Sequence, residues 1–131
     1  MKENVLLDKS FAFALRMVKA YKYLVEEKKE FVLSKQFLRS GTSIGANAEE
    51  SSGGQSTPDF LSKVSIAYKE ARETKYWIRL LNAGDYLDDV QTKSLLADVE
   101  ELLRIIGKIQ ITTKEKLRIT NDELRTKQRH S

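Results

Sequence analysis

This sequence predicts an all-α protein, an up-down-up-down four-helix bundle, on three observations. Apolar residues recur at helical spacing through four long segments, the breaks between those segments are short, and no pair of stretches reads as strands. At 131 residues, 40% hydrophobic and 32% charged, the chain is long enough for one core and has the composition of an ordinary helical domain.

The first helix is expected from about residue 8 or 10 to 29, with Asp8 as its cap and the charged run 26–30 as its end. Phe31, Val32 and Leu33 form an apolar connector, and Ser34 looks like the cap of a second helix that fades at Gly53 and Gly54. That second helix is built from poor helix formers. Gly41 and Gly45 each cost about 1 kcal/mol relative to alanine, so packing from outside must offset them, and close approach of a neighbouring backbone is the natural source. The third helix has the clearest start, Thr57 at the cap and Pro58 at the first helical position, and stops at Asn82-Ala83-Gly84. The fourth is expected from about 90 to 116. Residues 1–119 then make the bundle, and 120–131 a polar, basic, frayed tail.

Each helix needs one buried stripe, and two of them carry more. The third has Phe60, Val64, Ala67, Tyr68, Ala71, Thr74, Ile78 and Leu81 as its core stripe, with a second row of Ile66, Glu70, Glu73, Trp77 and Leu80. The first has Phe11, Ala14, Leu15, Val18, Tyr21 and Val25 on one side and Phe13, Met17, Ala20 and Leu24 on the other. A contiguous apolar surplus marks a protein interface, so Phe13, Met17, Ala20, Leu24, Ile66, Trp77 and Leu80 are expected to mediate homo-oligomerisation.

Several chemistries are excluded. The chain has no cysteine, hence no disulfide, thiolate metal site or thiol nucleophile. Its one histidine, His130, supplies neither the Glu-x-x-His pairs of a di-metal bundle nor a hydrolytic triad. The glycines at 41, 45, 53 and 54 lack the lysine and preceding strand of a phosphate loop. No cofactor, metal site or catalytic residue is expected. No apolar run approaches the roughly 18 residues of a membrane span, and the start is too short and too charged for a signal peptide, so a cytoplasmic protein is expected.

Charge points elsewhere. Net charge is +4, and residues 113–131 hold six Lys/Arg against three Asp/Glu, which places +3 in the tail. Lys108, Lys114, Lys116, Arg118, Arg125, Lys127 and Arg129 are therefore the candidate contacts to RNA or DNA, in a stretch with no aromatic residue to stack on bases. The alternative is a protein-docking scaffold that never touches nucleic acid.

The segment Phe37-Leu38-Arg39-Ser40-Gly41-Thr42-Ser43-Ile44-Gly45-Ala46-Asn47-Ala48-Glu49-Glu50-Ser51, together with the stretch from Ser65 through Glu70, Glu73 and Trp77 to Leu81, resembles the small bacterial proteins encoded in 23S rRNA intervening sequences. The resemblance implies a four-helix bundle with no established enzymatic activity. It also implies a homopentamer, similar to the accessory protein of diversity-generating retroelements, which binds nucleic acid and a reverse transcriptase. On the same grounds Arg39, Ser43, Asn47, Glu50, Glu70 and Glu73 occupy the polar positions of the family pattern, with a structural role: Ser43 and Asn47 satisfy polar groups, and Glu70 or Glu73 meets a cation such as Arg39. The stretch 48–51 departs from the usual pattern, where relatives carry a larger aliphatic residue and a glycine.

Overall fold

The computed structural model describes residues 2–54 and 56–130. Four helices account for nearly all of them: α1 (Lys2–Glu26), α2 (Leu33–Ser52), α3 (Thr57–Ala83) and α4 (Asp89–His130). Pairings across the helices show that every neighbour runs antiparallel. Met17 and Ser10 of α1 lie against Gly41 and Gly45 of α2. Arg39 and Glu50 of α2 meet Glu73 and Lys63 of α3. Lys9 and Arg16 of α1 reach Glu101 and Asp98 of α4. In each case numbers rise on one helix as they fall on the other, giving the up-down-up-down bundle that short connections dictate. The α1–α4 side is the least closely packed.

Local signals explain the ends. Ser56 caps α3, its Oγ accepting from the Asp59 N–H at 3.2 Å, with Pro58 in the first turn, so the cap lies one residue before the expected Thr57. Asp88 and Gln91 cap α4 reciprocally: Asp88 Oδ1 accepts from the Gln91 N–H at 2.7 Å, and the Asp88 N–H donates to Gln91 Oε1 at 2.9 Å. Ser34 does not cap α2. The carboxylate of Glu30 takes that part, accepting from the N–H of Ser34 at 2.7 Å and of Val32 at 3.2 Å, while Ser34 Oγ donates to the Glu30 carbonyl at 2.8 Å. Lys29, at φ 55, turns the chain so that Glu30 can point back.

Burial pushes the Glu30 carboxyl up, but the N–H groups of Ser34, Leu33 and Val32 and the Ser34 hydroxyl outweigh it together and hold it below the usual carboxylate range. A carboxyl depressed in the folded state stabilises above its unfolded value, and that contribution is lost as pH falls through the lower folded value. Glu30→Gln should therefore lower the melting temperature at neutral pH and lose less stability than the wild type between neutral pH and about pH 3. Thermal melts at the two pH values check this.

The core lies along the bundle axis. Phe13, Met17, Leu24, Phe37, Ile44, Val64, Ala71, Ile78, Leu81, Val99, Leu102 and Ile106 are all buried. The expected stripes of α3 and α4 face inward, but the assignment of the two rows on α1 is corrected. Phe13, Met17 and Leu24 were expected at a subunit interface and are core residues, 0–2% exposed, with Ala20 half-buried on the α4 side. The opposite row faces out, with Phe11 69%, Leu15 49% and Val18 38% exposed. The glycines of α2 decide the choice, because only a row carrying Met17 and Ser10 places side chain and backbone against Gly41 and Gly45. A second correction concerns the tail. Residues 120–130 continue α4 as helix, and Arg118 bonded to Glu115 and Asp122 supplies the i,i+3 and i,i+4 pairing that extends it.

Candidate functional site

Two polar surfaces answer to the residues singled out in the sequence. The first lies across α2 and α3. Arg39 Nη1 donates to Glu70 Oε2 at 3.0 Å, its Nη2 to Glu73, and its Nε to Gln36 at 3.2 Å. Trp77 Nε1 donates to the same Glu73 oxygen at 3.0 Å, and the indole meets Tyr76 edge-on with ring centroids 5.1 Å apart. Beneath, Thr74 Oγ1 lies 2.9 Å from Ser40 Oγ, a buried hydroxyl pair that Thr74 anchors to the Glu70 carbonyl at 2.7 Å. Ser43 Oγ donates to the Arg39 carbonyl and Asn47 Nδ2 to the Ser43 carbonyl, both four residues back, while Glu50 pairs with Lys63 at 2.9 Å. All six family-pattern residues thus have internal partners. Arg39 meets both acids rather than one.

These contacts clamp α2 to α3. The Glu50–Lys63 pair borders an open cleft of about 380 Å³ with Asp59 and Ser62, and among the described residues no cluster of His, Asp and Glu could hold a metal ion. Because Arg39 is about half exposed, each pair contributes about 0.2–1 kcal/mol, and the buried Ser40–Thr74 contact about 1 kcal/mol more. A small cleft of about 310 Å³ lies between α1 and α4, lined by Lys19, Ala20, Tyr23, Leu87, Gln91 and Leu95, with Arg16 at its edge. Arg16 is already engaged, 2.5 Å from Asp98 and 2.8 Å from Ser94 Oγ.

The second surface is the distal part of α4. Six of the seven candidate cations, Lys114, Lys116, Arg118, Arg125, Lys127 and Arg129, stand on helix in which every residue from 114 to 129 is exposed except the half-buried Leu117. The seventh, Lys108, is exposed on the part of α4 within the bundle, where its neighbours Gly107 and Gln110 approach Tyr68 and Ser65 of α3, rather than on the projecting segment. Arg118 is held by Glu115 and, at 3.3 Å, by Asp122, and Arg125 lies 3.7 Å from Asp122. The hydrogen bond and charge of Arg118 hold the Glu115 carboxyl below its usual range, and the same contacts raise Arg118. Lys114, Lys116, Lys127 and Arg129 form no ion pair among the described residues.

Of the remaining expected interface residues, Ile66 is 37% exposed, and Trp77 and Leu80 are half-buried on the outer face of α3. Sequence reasoning missed the exposed role of Phe11, Leu15 and Val18, although their spacing at i, i+4 and i+7 was visible. No helix among the described residues is long and apolar enough to cross a membrane.

The model of the 23S rRNA-intervening sequence protein family matches residues 2–108. Four solved chains also match. One is the 1.70 Å crystal structure of a protein of unknown function from the S23 ribosomal protein family of Bacteroides thetaiotaomicron. It is 51% identical, with a TM-score of 0.83, and the alignment covers 84% of this chain and 98% of that one. No curated protein matches. The Arg39–Glu70–Glu73 clamp and most of the bundle fall inside the family match, and the arm of α4 that carries six of the candidate cations lies beyond it.

Proposed function

We propose that this chain, which belongs to the 23S rRNA-intervening sequence protein family, works without catalysis as a homo-oligomeric bundle, pentameric by its resemblance to relatives, that binds nucleic acid through the basic arm of α4. The observation that carries this reading is the arm itself: a solvent-surrounded helix with six cations against three acids, four of the cations without an ionic partner among the described residues. Electrostatic binding to phosphates needs such accessible, unpaired cations, and repeating the arm around an oligomer multiplies a modest attraction.

A scaffold that docks a partner protein, such as a reverse transcriptase by analogy with the family's relatives, is the second reading. The exposed row of Phe11, Leu15 and Val18 is compatible with it, because an apolar face fits a protein surface, whether a second copy of this chain or a docked partner, better than a phosphate backbone.

Gel shifts at low salt separate the two. The full chain should retard structured RNA and duplex DNA, with affinity falling steeply as salt rises. Replacing Lys114, Lys116, Arg125 and Lys127 by glutamine should flatten the salt dependence, by about 0.9 in logarithmic slope for each duplex-DNA phosphate that is no longer neutralised. No retardation at tens of micromolar protein would leave the scaffold reading.

A further inference from the structure

The side chains of the arm divide around its axis more sharply than a solvated tail requires. At 3.6 residues per turn, Lys114, Arg118, Arg125 and Arg129 fall within an arc of about 60°, and Lys116 and Lys127 lie together on nearly the opposite flank. Between the flanks on one side are only uncharged residues: Thr120, Asn121, Leu124 and Gln128, in line with the half-buried Leu117. All three acids of the arm, Glu115, Asp122 and Glu123, occupy the remaining side, with Ile119 among them. The arm thus has two basic flanks, an uncharged front and an acidic back.

We infer that the uncharged front of this arm enters the major groove of duplex DNA, with the two basic flanks reaching the phosphates of the two strands. The inference rests on the nucleic-acid reading above and narrows it to one class of ligand. A helix with its side chains is about 10–12 Å across, and the B-form major groove is about 12 Å wide, bordered on both sides by phosphates. A helix lying in that groove requires cations on two opposite flanks, neutral groups toward the bases and any acids facing away, which is the partition found here. The front is also suited to base edges, since an Asn or Gln amide can pair with adenine and an apolar group packs on the thymine methyl.

Other nucleic acids fit less well. The major groove of A-form RNA is too deep and narrow for side chains to read, and single strands are held largely by stacking on aromatic residues. No Phe, Tyr or Trp follows Tyr86 in the sequence. From Lys114 to Arg129 the cations span about 22 Å of helix, a run that crosses several base pairs of groove.

The test is fluorescence anisotropy at low salt, with the full chain titrated into a labelled DNA duplex of about two helical turns, the RNA duplex of the same sequence, and the single DNA strand. Duplex DNA should bind at least about tenfold more tightly than either of the others. Leu124→Glu places a charge on the front at a position 53% exposed, so the fold should tolerate it. It should abolish the preference for duplex DNA with the helical circular dichroism unchanged. The double variant Lys116→Gln, Lys127→Gln should weaken binding to all three probes. Equal affinity for the three, or a Leu124→Glu protein that keeps the preference, overturns the groove placement while leaving nucleic-acid binding intact. Failure to bind any probe overturns both.

Discussion

Replacing Gly41 by leucine should unfold the bundle or weaken it by more than about 3 kcal/mol, and alanine at the same site should also destabilise it. A Cβ built on Gly41 would lie 2.4 Å from Met17 Cγ and 2.5 Å from its Sδ, and Met17 is fully buried, so its side chain would have to shift within the core. Helix propensity alone would make Gly41→Ala stabilising by close to 1 kcal/mol, so the sign of the change separates propensity from packing. At Gly45 the added atom would sit 3.3 Å from the Ser10 carbonyl oxygen, a backbone contact that must give by a few tenths of an ångström, so the loss there should be smaller. Met17→Ala alone should cost about 2–5 kcal/mol, and combined with Gly41→Ala should cost less than the sum of the two, since one fills what the other empties. Urea midpoints of these variants and the wild type check the set, and a raised midpoint for Gly41→Ala would contradict close packing as the reason for glycine there.

That contact also shows where the sequence stopped being informative. Four helices were legible because their apolar periods and glycine stops are strong local signals, and the inward stripes of α3 and α4 were legible because each has one dominant arc. On α1 two arcs are comparably apolar, and nothing local ranks them. The choice is made by Gly41 and Gly45, a long-range constraint. Caps moved for similar reasons: Ser34 and Glu30 compete for the start of α2, and the longer carboxylate reaches two N–H groups where a serine hydroxyl reaches one. The extent of α4 was hidden because Thr120 and Asn121 are weak helix formers, whereas the ion pairs around Arg118 and Asp122 act across three and four residues. The Arg39, Glu70 and Glu73 clamp was legible only through family resemblance, since residues 31 and 34 apart are not joined by any period.

The second large effect is expected in the assembly. Phe11, Leu15 and Val18 are exposed on the single chain, so charges there should spare the fold and, under the proposed homo-oligomer with this row as a contact, be felt where a second copy covers them. Burying one Phe or Leu contributes about 1.5–3 kcal/mol, and the double variant Phe11→Glu, Leu15→Glu loses that contribution twice and adds buried charge. It should dissociate the oligomer to subunits that remain helical. Ile66→Glu, on the outer face of α3, tests the other half-exposed row in the same way. Unchanged mass in both variants would remove these faces as interfaces.

Light scattering on the size-exclusion peak, run with and without a DNA duplex at low salt, reads both halves of the proposed function at once. The expected result is a particle of about five times the 15.0 kDa chain mass that grows heavier with duplex and returns to its own mass in high salt. A 15.0 kDa species at micromolar concentration, unchanged by the duplex, would contradict it.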